Sequence, residues 1–192
     1  MAGLKLEIVQ ERPFSSIEEE ALLNLMRTAD CVNRAFQLQV RPWGVTSTQY
    51  NVLRILRGAH PAGLTCSEIG LRMIATDPDI TRLLSRMKAL KLIRQNRDRQ
   101  DRRVVWTRIS ETGLQLLEQM DPVIQRLPGE LLGNLSKGEL GELIRLLELG
   151  RRFSLEGAER CTQDGVAEGK AAGQRKVSCD GSEGQCPESE IS

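Results

Sequence analysis

Between Ile80 and Ile109 the periodicity of the chain changes once, and that change limits the folds open to it. Ile80, Leu83, Leu84 and Met87 recur at helical spacing, whereas Val104-Val105-Trp106-Thr107-Arg108-Ile109 is the β-branched and aromatic pattern of a strand. Residues Leu92 to Asn96 pair with that strand across a charged tip at 97–102, which makes a β-hairpin. Upstream, Thr65-Cys66-Ser67-Glu68 is a capping box that opens a short helix with Ile69, Met73 and Ile74 available for the core. Thr76 or Asp77 is expected to cap the next helix, with Pro78 in its first turn, where a missing N–H costs nothing. Two short helices joined by a tight turn and followed by an arginine-tipped hairpin describe a winged helix-turn-helix.

Charge falls on the same stretch. Arg82 to Arg108 hold ten Lys or Arg against Asp98 and Asp101, a local excess of eight in a chain of net charge +1. The remainder is therefore net negative by seven. Cations gathered on one helix and one hairpin, with acid elsewhere, make an oriented field suited to a polyanion, and DNA is the first candidate. With only three Phe, two Trp and one Tyr, stacking platforms for single strands are scarce, so duplex DNA is favoured.

Other classes have less to stand on. The chain of 192 residues, 40% hydrophobic and 28% charged, suits one globular domain. It has no apolar run of membrane-spanning length and no signal-peptide pattern in Met1-Ala2-Gly3-Leu4-Lys5-Leu6-Glu7, so no membrane partner is expected and the reading is cytoplasmic. Five cysteines at irregular spacing, without a Cys-x-x-Cys pair, fit neither a disulfide framework nor a zinc site. One histidine, no phosphate-binding glycine loop and no nucleophile motif leave no catalytic, metal or cofactor site to assign.

The flanks read as helices. Residues 1–14 form an N-terminal extension with a short extended piece around Leu6 and Ile8. Ser15-Ser16-Ile17-Glu18 matches a capping box and opens a long helix with Leu22, Leu25, Ala29, Val32, Phe36 and Val40 on one side, ended by Arg41-Pro42-Trp43-Gly44. Such a helix is longer than a small core needs, which predicts packing on another subunit. Thr46-Ser47-Thr48-Gln49 caps a helix that faces inward through Tyr50, Leu53 and Leu56 or through Val52, Ile55 and Leu56, ended by Gly58 and Pro61. Ser110-Glu111-Thr112-Gly113 caps the return to helix, with Leu114, Leu117, Val123, Ile124 and Leu127 apolar and Pro122 expected to kink or split it. Leu127-Pro128-Gly129 reads as an interruption. Ser136-Lys137-Gly138-Glu139 caps a last helix bearing Leu140, Leu143, Ile144 and Leu147. The fold class is thus mainly α with a small β-hairpin, a winged helix-turn-helix with long N- and C-terminal dimerisation helices. The domain runs over 15–153, and 154–192, with eight acidic residues against four basic, reads as a disordered acidic tail.

These residues resemble the MarR family of winged-helix transcription regulators. The likeness rests on Leu64-Thr65-Cys66-Ser67-Glu68-Ile69-Gly70, Ile80-Thr81-Arg82-Leu83-Leu84-Ser85-Arg86-Met87, Leu92-Ile93-Arg94, Asp98 to Arg103, and Ile109-Ser110-Glu111-Thr112-Gly113. With the terminal helices it covers roughly residues 18–150. The resemblance implies a homodimer on a pseudo-palindromic operator, released in many relatives by a small ligand or by oxidation. Two departures stand out: Lys91 occupies a turn position where the family usually has Gly, and Asp77 and Asp79 make the start of the second helix unusually acidic.

The expected DNA contacts follow. Thr76, Asp77, Asp79, Thr81, Arg82, Ser85 and Arg86 lie on or before the helix that would enter the major groove, where all base pairs are distinguishable. Arg82 or Arg86 would fork onto a guanine. Asp77 or Asp79 would accept from a cytosine amino group or, alternatively, only cap the helix. At the wing, Arg99, Arg102 and Arg103 would reach the minor groove or its phosphates, with Asp101 holding one guanidinium by a bidentate pair. The resemblance places an effector pocket near Phe36, Trp43 and Tyr50, which are otherwise core aromatics; His60 reads as a loop residue. It also makes Cys31 and Cys66 candidates for redox sensing, against the plainer reading of packing residues. The rival to DNA binding is a winged-helix protein-interaction adaptor, which needs neither a cationic helix nor an arginine-tipped wing.

Overall fold

A computed structural model describes residues 3–75 and 77–152. The chain divides into two compact units, 1–134 and 135–192. The first holds α1 (Leu4–Glu7), α2 (Ile17–Val40), α3 (Ser47–Gly58), α4 (Cys66–Arg72), α5 (Ile80–Ala89), β1 (Ile93–Arg97), β2 (Val105–Ile109), α6 (Glu111–Ile124) and α7 (Leu127–Leu132). The second, taken by itself, holds α8 (137–152). The tail assigned to 154–192 lies outside the described residues.

α1 replaces the extended piece expected near Leu6 and Ile8, and it buries Leu4. The cap of α2 falls one residue later than its motif suggested: Ser16 accepts the Glu19 N–H, and the Glu19 carboxylate accepts both the N–H and the hydroxyl of Ser15, at 2.6 and 2.7 Å. Three glutamates in the first turn, Glu18 to Glu20, add favourable charge at the positive end of the helix. α2 ends in the 3-10 turn Arg41–Trp43, and Gly44 takes the left-handed conformation at φ 71°. The Ser47 N–H donates to Gln37 Oε1 at 2.8 Å, and the Phe36 and Tyr50 rings meet at 5.4 Å, so the end of α2 is fastened to α3.

α3 is the central helix. Its capping box closes as expected, Thr46 accepting from the Gln49 N–H while Gln49 accepts from the Thr46 N–H. Of the two inward faces left open by the sequence, parts of both are used: Tyr50, Val52, Leu53 and Leu56 are buried and Ile55 is half-buried. A helix covered on two sides shows no single stripe. Around it lie Ile69 of α4, Leu83, Leu84 and Met87 of α5, Leu92, Ile93, Ile109, and Leu117, Met120 and Ile124 of α6. Each such side chain contributes roughly 1.5–3 kcal/mol by leaving water. Ile74, expected in this core, is instead exposed beyond the end of α4.

β1 and β2 pair antiparallel with Ile93 opposite Ile109, and Leu64 adds a third edge through reciprocal hydrogen bonds with Thr107 at 2.9 and 2.8 Å. The hairpin is tied to α6 by Ser110, whose hydroxyl donates to the Lys91 carbonyl at 2.6 Å and accepts the Gly113 N–H at 3.0 Å. Gly113 is required there: a Cβ would run into the Leu92 carbonyl oxygen and the Ile109 side chain. Pro122 does not split α6, which runs on through it and stops two residues later at Ile124. The break comes at Gln125 and Arg126. Leu127-Pro128-Gly129 then opens α7 rather than interrupting the chain, with Pro128 in the first turn. A half-buried bidentate pair, Arg57 to Asp121 at 2.7 and 3.2 Å, joins α3 to α6.

Candidate nucleic-acid interface

α5 divides its residues cleanly between core and solvent. Leu83, Leu84 and Met87 are buried, and Thr81, Arg82, Ser85, Arg86 and Lys88 stand on the opposite, exposed side. The period of 3.6 makes this split: buried and exposed positions alternate in threes and fours. The two acids that precede the helix serve the backbone. Asp79, rather than Thr76 or Asp77, is the N-cap, accepting the Arg82 N–H at 3.1 Å, and Asp77 accepts the Asp79 N–H at 2.9 Å. Pro78 therefore lies before the helix, not in its first turn. Thr76 is outside the described residues.

The turn from α5 into β1 keeps its geometry without glycine. Lys91 has φ 59°, a left-handed conformation that costs a residue with a Cβ something of order 1 kcal/mol. Its N–H donates to the Lys88 carbonyl, the next N–H, of Leu92, donates to Met87, and its own carbonyl takes the Ser110 hydroxyl. The surroundings thus hold the strained residue from both sides.

At the wing, Arg97, Arg99, Arg102 and Arg103 are exposed. Asp101 does not grip a guanidinium as expected; its carboxylate accepts the Arg103 backbone N–H at 2.9 Å. A short polar side chain beside a tight turn finds the nearer amide first. The sequence reading missed Asp98. Its Oδ1 accepts the N–H groups of Gln100 at 2.8 Å and Asp101 at 3.0 Å, and its Oδ2 accepts the indole N–H of Trp106 at 2.9 Å. These donors, the Asp101 amide first, then the indole and the Gln100 amide, hold the Asp98 carboxyl below its usual range. An aspartate two and three residues before the amides of a turn was the available signal. Among the described residues, no ion pair involves any residue from 77 to 110, so the cations of α5 and the wing carry no internal carboxylate partner.

The sequence profile of the MarR family matches residues 43–104, the helix-turn-helix and most of the wing. A MarR transcription factor from Planctomyces limnophilus is 36% identical over 71% of this chain and 99% of that one, with a TM-score of 0.56. This chain belongs to the MarR family. MarR proteins are transcription regulators, not enzymes. Two more distant solved structures share the fold. A mutant MarR from E. coli, complexed with operator DNA, is 24% identical over 77% of this chain and 97% of that one, with a TM-score of 0.60. BpsR of Bordetella bronchiseptica, whose DNA binding is regulated by 6-hydroxynicotinic acid, is 23% identical over 69% and 99%, with a TM-score of 0.61. No curated protein matches this chain.

In this MarR-family chain the expected effector residues separate. Phe36 and Tyr50 line two cavities, one of about 380 Å³ that reaches Arg57 and Asp121 and one of about 460 Å³ that reaches Asn51 and Ile74; Arg54 borders both. Trp43 lines neither and packs on the core from its 3-10 turn. Burial raises the Tyr50 hydroxyl pKa, and the Asp121 carboxylate raises that of Arg57, so both keep their protons. His60 is an exposed loop residue, as read from the sequence. Cys31 is exposed on α2, with the Arg34 guanidinium 3.9 Å away, and Cys66 packs half-buried against the core from the first turn of α4. Among the described residues no helix is long and apolar enough to cross a membrane, and no cluster of His, Cys, Asp or Glu could hold a metal.

Proposed function

We propose that this MarR-family protein is a sequence-specific regulator that binds double-stranded DNA as a homodimer, with α5 in the major groove and the wing at the minor groove. The observation that carries the reading is the exposed set Arg82, Arg86, Arg99, Arg102 and Arg103, on adjoining elements, with no carboxylate paired to it among the described residues. Arginines that neutralise phosphates displace the cations condensed on the duplex, and binding through them therefore falls steeply with salt. Thr81 and Ser85 share the exposed side of α5 with Arg82 and Arg86, and these four read bases or phosphates. Asp77 and Asp79 act by fixing where the helix begins.

Two copies meet through the exposed apolar side of α2, where Ile17, Leu22, Leu25 and Met26 lie open. A pseudo-palindromic operator follows, with half-sites about one helical turn apart. Release by a small molecule, and with it repression, is assigned to the cavities beside Phe36 and Tyr50, both of which lie between α2 and α3, the smaller reaching α6 as well, and so adjoin the helix through which the two copies meet. The test is binding to duplex DNA across a salt series, followed by selection of bound sequences from a random pool. The reading expects affinity that falls steeply with salt and a two-fold-related motif in the selected pool. Salt-independent binding, or none, would leave the adaptor reading in its place.

A further inference from the structure

At the tip of the wing, where Asp101 accepts only the Arg103 amide, most of the hydrogen bonds converge on one carboxylate, that of Asp98. Besides the three hydrogen bonds that Asp98 accepts from Gln100, Asp101 and Trp106, its own N–H donates to the Val104 carbonyl at 2.9 Å, and the Val104 N–H returns to the Asp101 carbonyl at 3.0 Å. The donors come from two places. Two are amides of the tip, and the third is an indole two residues past Val104 on β2. Trp106 stands opposite Asn96 in the ladder and is half-buried, so its ring is set by the strand rather than by the tip. The carboxylate therefore locks the loop that bears Arg99, Arg102 and Arg103 to the rigid part of the hairpin.

We propose that Asp98 is a positioning residue for DNA binding, which fixes through Trp106 the directions in which the wing arginines leave the hairpin. This rests on the DNA-binding reading and deepens it. A loose tip would have to be ordered at the moment of binding, whereas a tip ordered in the free protein has met that entropic cost during folding. The proposal gives a sign that charge alone does not. Asp98 is an acid on a surface meant for phosphate, so on Coulomb grounds its removal should strengthen binding. Positioning requires the reverse. In Asp98→Asn the side-chain nitrogen is a donor and cannot accept from the indole, and the neutral oxygen accepts more weakly from the amides than a carboxylate does.

The test uses the full chain, with Asp98→Asn, Trp106→Phe and the double variant. Binding to a fluorescent duplex is measured over a salt series, and the two indole N–H resonances, of Trp43 and Trp106, are followed by NMR without DNA. Asp98→Asn is expected to weaken binding roughly tenfold and to flatten the slope of log affinity on log salt by about one to two phosphate contacts. Trp106→Phe is expected to do the same to a smaller extent, and the double variant to lose less than the product of the two single losses. The indole resonance that vanishes in Trp106→Phe is expected to shift in Asp98→Asn. Binding by Asp98→Asn as tight as, or tighter than, that of the unaltered protein would overturn the proposal, as would an unmoved indole resonance. Should Asp98→Asn fail to fold, Trp106→Phe decides, since it removes the indole donor and keeps an aromatic ring in the strand. Failure of the unaltered protein to bind duplex at low salt would instead overturn the DNA-binding reading, and with it any role for Asp98 on DNA.

Discussion

α2 and α3 are built from similar residues and meet opposite fates. α3 has twelve residues and buries Gln49, Tyr50, Val52, Leu53 and Leu56. α2 is twice as long and buries only Val40, at the end where it meets the winged-helix lobe, while Ile17 is 78% exposed and Met26 60%. α8 also leaves Ile144, Leu146 and Leu149 open. The first helix is completed by its own chain. The second carries an apolar side that, at roughly 25 cal/mol per Å² of buried apolar surface, is worth covering with something else. The lesson is that this chain encodes a lobe complete in itself and a long helix whose apolar side its own chain leaves uncovered, the side that the proposed homodimer would bury.

Substitutions can break that contrast. The largest effect is expected at Leu53, fully buried in the centre of the lobe. Leu53→Ala should cost about 2–5 kcal/mol of stability by denaturant unfolding, and a loss below 1 kcal/mol would mean the lobe is not the self-contained body described. Leu25→Glu, on the exposed side of α2, should act differently. Chains should separate while the far-UV circular dichroism and the winged-helix core persist; unfolding of the whole chain instead would erase the distinction between the two helices.

Within the reading head, the helix and the wing should respond unequally. Arg103→Ala is expected to weaken binding to every duplex and to lower the salt slope by about one, whereas Arg82→Ala should also relax the selected sequence. Affinity of Arg103→Ala unchanged at all salt concentrations would remove the wing from the interface. The smallest effect concerns acid. Hydrogen bonds from the Thr65 N–H and hydroxyl lower the Glu68 pKa in the folded chain, so this contribution is present above the ordinary glutamate pKa and lost as pH falls through the lowered one. The protection of the Thr65 amide, taken relative to an unstructured amide at the same pH, should fall over that acidic window, and in Glu68→Gln it should show no such pH step.

The sequence was most legible where local chemistry and tertiary packing agree. The capping boxes at Thr46 and Thr65, the strand pairing around Ile93 and Ile109, and the exposed cationic side of α5 all follow from spacing. Lys91 stands where the resemblance calls for glycine, and its φ of 59° is the left-handed conformation that glycine favours. What stayed hidden were choices between near neighbours. Three adjacent polar residues, Thr76, Asp77 and Asp79, can each cap α5, and only the geometry of the turn selects Asp79. Asp98 and Asp101 look alike in a charge count, yet one gathers the tip amides and an indole while the other takes a single amide. Pro122 is expected to kink or split the helix, yet α6 runs on through it, and the true end, after Ile124, carries no breaker residue.

The central claim is that the apolar side of α2 is covered by a second copy, so that two reading heads face one duplex. Sedimentation equilibrium of the full chain, alone and with a duplex carrying the selected motif, measures it directly. The account predicts a protein mass of twice 21.5 kDa in both cases. A mass of one chain at micromolar concentration, or one chain per duplex, would contradict it.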